Sequence, residues 1–423
     1  MSEEVNLTCT LNKPNLPVTG GQQLAYVLIE AMPAASLSGV QMPLNFALVL
    51  DHSGSMSGEK LSNLKAAAKL AVDQMGPQDY VSVIVFDDKV KVVVPSQPVI
   101  DRVAIQQQID SIRDGGGTTI SKGMKSGMDE LRKALDPNRV NRMLLLTDGE
   151  TFGDEKKCIK LASELGQMGV PVYALGLGED WNEELLDEIA TKSGGLSDFI
   201  DQPARITRVF EDMVSMAKGT VVQNAQMILR LVTGVSPRAV WQVLPVISKL
   251  DHRVLSDRDV QVDLGDMEKD QGQSVLVELL VPPRQEGRYR IAQAEVGYDV
   301  PALGLVGEKV KVDILMNFTS DPQLAQQTDP QVMNIIEKVT AHKLQTRALD
   351  EAAMGNIVAA TQKLRAAATR LLDMGETELA QTALQEAERL EQGGQMSAAG
   401  TKKLRYETRK LTQKLDGVPE VND

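Results

Sequence analysis

The sequence predicts a doubly wound α/β domain inserted in an antiparallel β-sandwich and followed by a C-terminal α-helical region. Three observations carry that expectation. Residues 42–219 alternate short apolar runs with amphipathic stretches, the pattern of parallel strands joined by helical crossovers. Residues 5–31 and 220–320 hold short runs that alternate with period two and are separated by turn residues, as half-buried antiparallel strands do. From Asp329 onward the apolar residues recur at three and four, which is helical.

The α/β part opens with Leu44–Leu50 (LNFALVL), a continuous apolar run suited to a strand buried on both faces. It ends in Asp51-His52-Ser53-Gly54-Ser55. A helix is expected over Glu59–Met75, with Leu61, Leu64, Ala68 and Val72 on one face and Gly76-Pro77 as its stop. Val81–Phe86 and Val90–Val94 are β-branched and read as a hairpin around Asp87-Asp88-Lys89. Helices follow over Ile100–Ile112 and, after the loop Asp114-Gly115-Gly116-Gly117-Thr118, up to about Leu135. Met143–Leu146 is a second buried strand ending at Thr147-Asp148-Gly149. Lys156–Met168 is helical, Val170–Leu175 a strand, and helices near Glu183–Thr191 and Pro203–Ala217 flank a short strand at Asp198–Asp201.

In 220–320 the strands are Ala225–Val232, Ser274–Val281, Tyr289–Tyr298 and Val310–Asn317. Val5–Leu11 and Leu24–Glu30 share their character. Two strands alone are marginal in water, so residues 1–41 are expected to complete the sandwich of 220–320, with 42–219 inserted between. The tail, 321–423, reads as a helical bundle or hairpin with breaks at Gly375 and Gly393-Gly394 and a last basic helix over Ser397–Leu415. Its spacing is faintly like a tetratricopeptide pair, without a second copy.

Composition bounds the function. The chain has 423 residues, too many for one core and enough for about three units. Its formal net charge is −13, from 45 basic and 58 acidic residues, which disfavours general binding of nucleic acid or anionic membrane. Aromatics are 3%, too few for a base-stacking platform. The tail is nearly neutral, with 13 basic and 14 acidic residues from Pro322 to Asp423, so the acidity lies in the first 321 residues. Cys9 and Cys158 are read as two free buried thiols, since a secreted scaffold carries more cysteines. MSEEVNL has no apolar core of a signal peptide, and no run is long enough to span a bilayer. The expected compartment is cytoplasmic. The sequons at Asn6 and Asn317 then carry no meaning.

The chemistry-bearing constellation is Asp51, Ser53 and Ser55, with Thr118 and Asp148, each at the carboxyl end of a predicted strand or in a loop beside one. Ligands of open α/β sheets bind there. Two carboxylates and three hydroxyls form an all-oxygen set that suits a hard cation such as Mg²⁺ (or Mn²⁺ or Ca²⁺) and leaves it electrophilic. D-x-S-x-S, a later Gly-Gly-Thr and a T-D-G after a buried strand resemble the metal-ion-dependent adhesion site of von Willebrand factor A domains, over 42–219. The resemblance implies that Ser53, Ser55 and Thr118 bind the metal directly, and that Asp51 and Asp148 act largely through water. It also implies that a Glu or Asp of a partner protein fills the sixth position, often with a shift of the helix near Pro203–Ala217. Family members of this kind are mostly binding modules, some of them adaptors for AAA-type ATPases. The inserted arrangement resembles the integrin β chain.

Each piece has a plainer reading. D-x-S-G-S is a common turn whose Asp and Ser can cap a helix, Asp148-Gly149 is a turn signal, and Thr118 or Thr119 can be a cap. His52 reads as a rim or packing residue, and Asp87-Asp88 as a solvated hairpin tip in preference to a second metal site. The basic stretch Lys402–Lys410 reads as a solvated face or an intramolecular contact. Gly54–Gly58 is no nucleophile elbow, Gly115–Thr119 no phosphate loop, Gly176-Leu177-Gly178 no dinucleotide turn, and the three histidines form no triad. The expected function is a non-enzymatic, metal-dependent protein-binding module. The alternatives are a metal-assisted hydrolase, which needs a base within reach, and a scaffold that binds through its C-terminal helices.

Overall fold

A computed structural model describes residues 4–151 and 153–413. The chain order is β1 (Val5–Leu11), β2 (Asn15–Pro17), β3 (Gln23–Pro33), β4 (Leu44–Asp51), α1 (Glu59–Gln74), β5 (Tyr80–Phe86), β6 (Val90–Pro98), α2 (Arg102–Asp110), α3 (Ile120–Arg132), β7 (Val140–Thr147), α4 (Glu155–Gln167), β8 (Val172–Leu177), α5 (Glu183–Ser193), β9 (Leu196–Ile200) and α6 (Ile206–Gly219). It continues with β10 (Thr220–Leu231), β11 (Ser236–Leu244), β12 (Ser248–Leu250), β13 (Arg253–Val254), β14 (Asp259–Glu268), β15 (Gln273–Val281), β16 (Gly287–Val300), β17 (Leu305–Thr319), α7 (Pro322–Gln326), α8 (Pro330–Ala353), α9 (Ile357–Asp373), α10 (Thr377–Gly393) and α11 (Ala398–Glu407).

The chain divides into two compact units, Val40–Thr220 and Met1–Gly39 with Val221–Asp423. In the first, one sheet runs β6-β5-β4-β7-β8-β9. All its pairs are parallel except β5–β6, which form the expected hairpin. Every residue of β4 and of β7 is buried, which explains their unbroken apolar character. One face packs Phe46, Leu48 and Leu50 against Leu64, Ala68 and Val72 of α1 and Phe210 and Val214 of α6. On the other, Gly123 and Gly127 let α3 approach closely: a Cβ on Gly127 would stand 2.5 Å from Val49 Cγ2.

The second unit contains two sheets, β1-β3-β15-β11-β12 and β13-β14-β10-β16-β17-β2. Each sheet combines strands from before and after the α/β unit. β3 pairs with β15 over nine residues, with Val27 opposite Val277, and β2 pairs with the end of β17, in the parallel sense. β11 and β14 were not among the expected strands: Pro237 and Arg238 open the first, and register shifts interrupt its alternation.

The helices α8–α11 do not form a core of their own. Val332, Ile335, Val339, Leu364, Leu371, Ala383 and Leu404 share one with Leu28, Trp241 and Leu276 of the first sheet. By compactness the helices fall in the same unit as the two sheets, and the first sheet offers them an apolar face that a bundle alone would leave wet. The last expected helix is shorter, ending at Glu407 with a 3-10 turn over Thr408–Lys410, and positions 414 and 415 of its range lie outside the described residues. It is not a solvated face: Lys402, Leu404 and Tyr406 are buried. Both cysteines are free. Cys158 is buried, but Cys9 is half-buried, because β1 is an edge strand. Among the described residues no helix is long and apolar enough to cross a membrane.

Candidate metal centre

Asp51 is the last residue of β4 and is fully buried. Its Oδ1 accepts the Ser53 N–H at 2.8 Å, and its Oδ2 accepts the Thr147 hydroxyl at 2.6 Å. β4 and β7 run side by side with Leu50 opposite Leu146, so their carboxyl ends meet. Beyond Asp51 the chain makes one 3-10 turn over Gly54–Met56. That turn sets Ser53 Oγ 3.0 Å from Ser55 Oγ, and the Ser55 hydroxyl donates to Asp148 Oδ1 at 2.7 Å. Asp51, Ser53, Ser55 and Asp148 therefore form one connected cluster. Thr118 stands beside it: a Cβ on Gly149 would lie 3.5 Å from Thr118 Oγ1.

Burial is the main force on the Asp51 carboxyl and pushes its pKa up. Hydrogen bonds from Thr147 and Ser53 oppose the rise, and the nearby Asp148 charge adds to it. Asp148 is 2% exposed. Two buried carboxylates so close together call for a cation.

The glycine loop is docked onto this turn. Gly115 N–H donates to His52 O at 2.7 Å, and Gly54 N–H to Gly116 O at 3.0 Å. Asp87 and Asp88 are not a merely solvated tip. Asp87 Oδ2 accepts the Gly116 N–H at 2.9 Å and Asp88 Oδ2 the Gly117 N–H at 3.0 Å, because loop amides outside a ladder need acceptors. Burial pushes Asp87 up, but the N–H donors of Gly116 and Lys89 outweigh it and hold the carboxyl below its ordinary value. His52 ties the same loop from the rim, with Nδ1 2.7 Å from Arg113 O and Nε2 3.9 Å from Asp87 Oδ2.

Thr119 is not a side-chain cap of α3. The first amides of that helix go to the loop after β7: Ile120 N–H to Thr151 Oγ1 at 3.3 Å and Ser121 N–H to Asp154 Oδ2 at 2.8 Å. Thr151 also bonds Asp154 and reaches Thr118 O at 3.4 Å. Sequence reading missed this support, and it missed Lys60, whose Nζ lies 2.5 Å from Asp148 Oδ2. A signal existed for Lys60, since a cation in the first turn of a helix opposes the helix dipole. For Asp154 there was none, because its partner is 33 positions away.

The donor set fits a hard divalent ion. Among the described residues no three His, Cys, Asp or Glu side chains come together to hold a metal, so a cation here relies on hydroxyls as well as carboxylates. An octahedral Mg²⁺ with arms of about 2.1 Å has edges of about 3 Å, and the two serine oxygens already stand 3.0 Å apart.

Comparison with known proteins agrees with this architecture. A family model described as von Willebrand factor type A domain matches residues 45–212, and one described as Sll0103-like, C-terminal alpha-helical domain matches residues 330–414. The uncharacterized protein sll0103 of Synechocystis sp. is 30% identical over 420 residues, spanning 97% of this chain and 98% of its own. The chain belongs to the Sll0103-like von Willebrand factor A family. Its von Willebrand factor A (vWA) domain is also similar to inter-alpha-trypsin inhibitor heavy chain H3 of Homo sapiens, 27% identical over 210 residues. That match takes in 47% of this chain and about a fifth (22%) of the length of the heavy chain. Two solved structures share the fold along nearly the whole chain. A von Willebrand factor type A protein from Catenulispora acidiphila has a TM-score of 0.77 at 19% identity, covering 97% of each chain. The ArnB paralog VWA2 from Sulfolobus acidocaldarius has a TM-score of 0.58 at 16% identity, covering 96% of this chain and 98% of its own.

Proposed function

We propose that this vWA domain holds a divalent cation, Mg²⁺ foremost, at Asp51, Ser53, Ser55, Thr118 and Asp148, and uses it to capture a Glu or Asp carboxylate of a partner protein without catalysing a reaction. The observation that carries the reading is the connected cluster Asp51–Ser53–Ser55–Asp148 at the carboxyl ends of β4 and β7. Hydroxyl ligands add no negative charge, so the ion stays electrophilic and an acidic ligand completes it. In a hydrolytic role the candidate base is His52 Nε2, since Nδ1 is engaged by the Arg113 carbonyl; Nε2 stands 3.9 Å from Asp87 Oδ2, and no bond ties it to the serine and aspartate cluster. The free thiols Cys9 and Cys158 support a reducing, cytoplasmic setting. The partner is a protein with an acidic side chain on a neutral or basic surface, and an AAA-type ATPase system is the kind proposed. We take the two sheets as one discontinuous β-sandwich that carries the vWA domain as an insertion.

The test is a pull-down from native lysate with Mg²⁺, with EDTA, and with the double variant Asp51→Ala, Ser53→Ala. Capture of the same partner only by the parent with Mg²⁺ is expected. Undiminished capture by the double variant or in EDTA overturns the reading.

A further inference from the structure

Lys60 sits in the second position of α1, where the peptide dipoles disfavour a cation. Its Nζ nevertheless stands 2.5 Å from Asp148 Oδ2, while the other oxygen of that carboxylate accepts from Ser55. The Asp148 side chain has no exposure, whereas that of Lys60 keeps 32%. The carboxylate is fixed and dry; the ammonium rides on a four-carbon stem with a way out to solvent.

We propose that Lys60 is a built-in competitor for the cation site: it neutralises Asp148 while no metal is bound and is displaced outward when an ion loads. The proposal rests on the reading of Asp51, Ser53, Ser55, Thr118 and Asp148 as that site. An unpaired buried carboxylate is costly, and Asp148 faces a second one, Asp51, that burial already disfavours in its charged form. The ammonium supplies the missing positive charge in the metal-free protein. A divalent ion on the Ser53 and Ser55 hydroxyls would share Asp148 with it, and like charges at that separation are weakly screened inside a protein. The two cations therefore exclude each other, and the protein's own lysine sets how much free metal is needed for loading. The competing role differs from a positioning one. If Lys60 merely oriented Asp148 for the metal, its removal would weaken binding instead of strengthening it.

The experiment compares full-length parent, Lys60→Met and Lys60→Arg, stripped with chelator and titrated with MgCl₂ and MnCl₂ by calorimetry at one pH and ionic strength. Thermal melts of the metal-free forms are run alongside. Lys60→Met is expected to bind Mg²⁺ about tenfold more tightly than the parent, the order of effect of removing one unit charge beside a partly solvated site. Lys60→Arg, which keeps the charge, is expected to stay within about twofold of the parent. Metal-free Lys60→Met is expected to melt below the parent. Equal or weaker Mg²⁺ binding by Lys60→Met, with the parent binding normally, overturns the competitor and leaves the metal site standing. Absence of binding in all three proteins overturns the metal site and the competitor with it. Should Lys60→Met fail to fold, Lys60→Gln is read against the same outcomes.

Discussion

Gly115, Gly116 and Gly117 lie so close to two carboxylates that no other residue fits without displacement. A Cβ on Gly115 would stand 2.2 Å from Asp87 Oδ2, one on Gly116 2.5 Å from Asp88 Oδ2, and one on Gly117 2.6 Å from Asp88 Oδ1. The glycine run thus makes room for the acids that hold the loop, and through it Thr118. Gly115→Ala is expected to cost about 1–3 kcal/mol, since Asp87 must give up its amide donors. In an Asp87→Ala background the same substitution is expected to cost less than half as much. Urea denaturation of the four proteins measures the coupling, and strict additivity would show that the loop is held by other contacts. The sequence displayed the members of the candidate site by residue type and order, and the structure brings Asp51, Ser53, Ser55 and Asp148 into one hydrogen-bonded cluster. It did not display Lys60, Asp87, Asp88 or Asp154 as parts of the site. Their roles depend on partners contributed by other loops, not on any local pattern.

At the scale of elements, two buried acids show how helices and strands are fastened. Glu386 of α10 is 3% exposed and accepts from Ser397 N and Ser397 Oγ, both at 2.7 Å; Ser397 in turn caps α11 through Gly400 N–H. Glu386→Ala is expected to destabilise the second unit by about 2 kcal/mol, the cost of orphaning those donors. Hydrogen exchange should quicken first in α11, and uniform acceleration across the unit would contradict this local fastening. Glu295 of β16 is bound by Lys311 at 2.8 Å and Arg230 at 3.1 Å. The Lys311 hydrogen bond foremost, against some desolvation, and then Arg230 hold its pKa down to about 2, from an ordinary 4.5. A carboxyl lowered by folding stabilises the native state above the unfolded value and loses that contribution as pH falls through the folded one. The stability difference between parent and Glu295→Gln is expected to be on the order of 1–2 kcal/mol at neutral pH, allowing for solvent around the exposed lysine and arginine. It should shrink between about pH 4.5 and pH 2. Denaturation series at several pH values check this; a difference constant down to pH 2 would remove the ion pairs as its cause.

For the whole molecule the decisive contacts are those between strands far apart in the chain. β15 has β3 on one side and β11 on the other, and Leu28 of β3 enters the core beneath the helices. Removing residues 1–39 is therefore expected to leave 40–220 folded, with its complete six-stranded sheet. The rest would expose one hydrogen-bonding edge of β15 and associate through it. Separate expression of 40–220 and 221–423, followed by gel filtration and thermal melting, tests this; a monomeric, cooperatively melting 221–423 would show that the N-terminal strands are dispensable.

The sequence by itself determined the succession of strands and helices in 42–219, the antiparallel character of 220–320, the helical tail, and which oxygen-bearing residues end the central strands. These follow from periodicity and turn chemistry, which act over a few residues. Only the tertiary structure decided that β3 pairs with β15, that the tail helices share a core with that sheet, and that Lys60 meets Asp148, 88 positions away. Such contacts repay loop-closure entropy only when the whole core is assembled around them, and no local pattern in the chain carries that information.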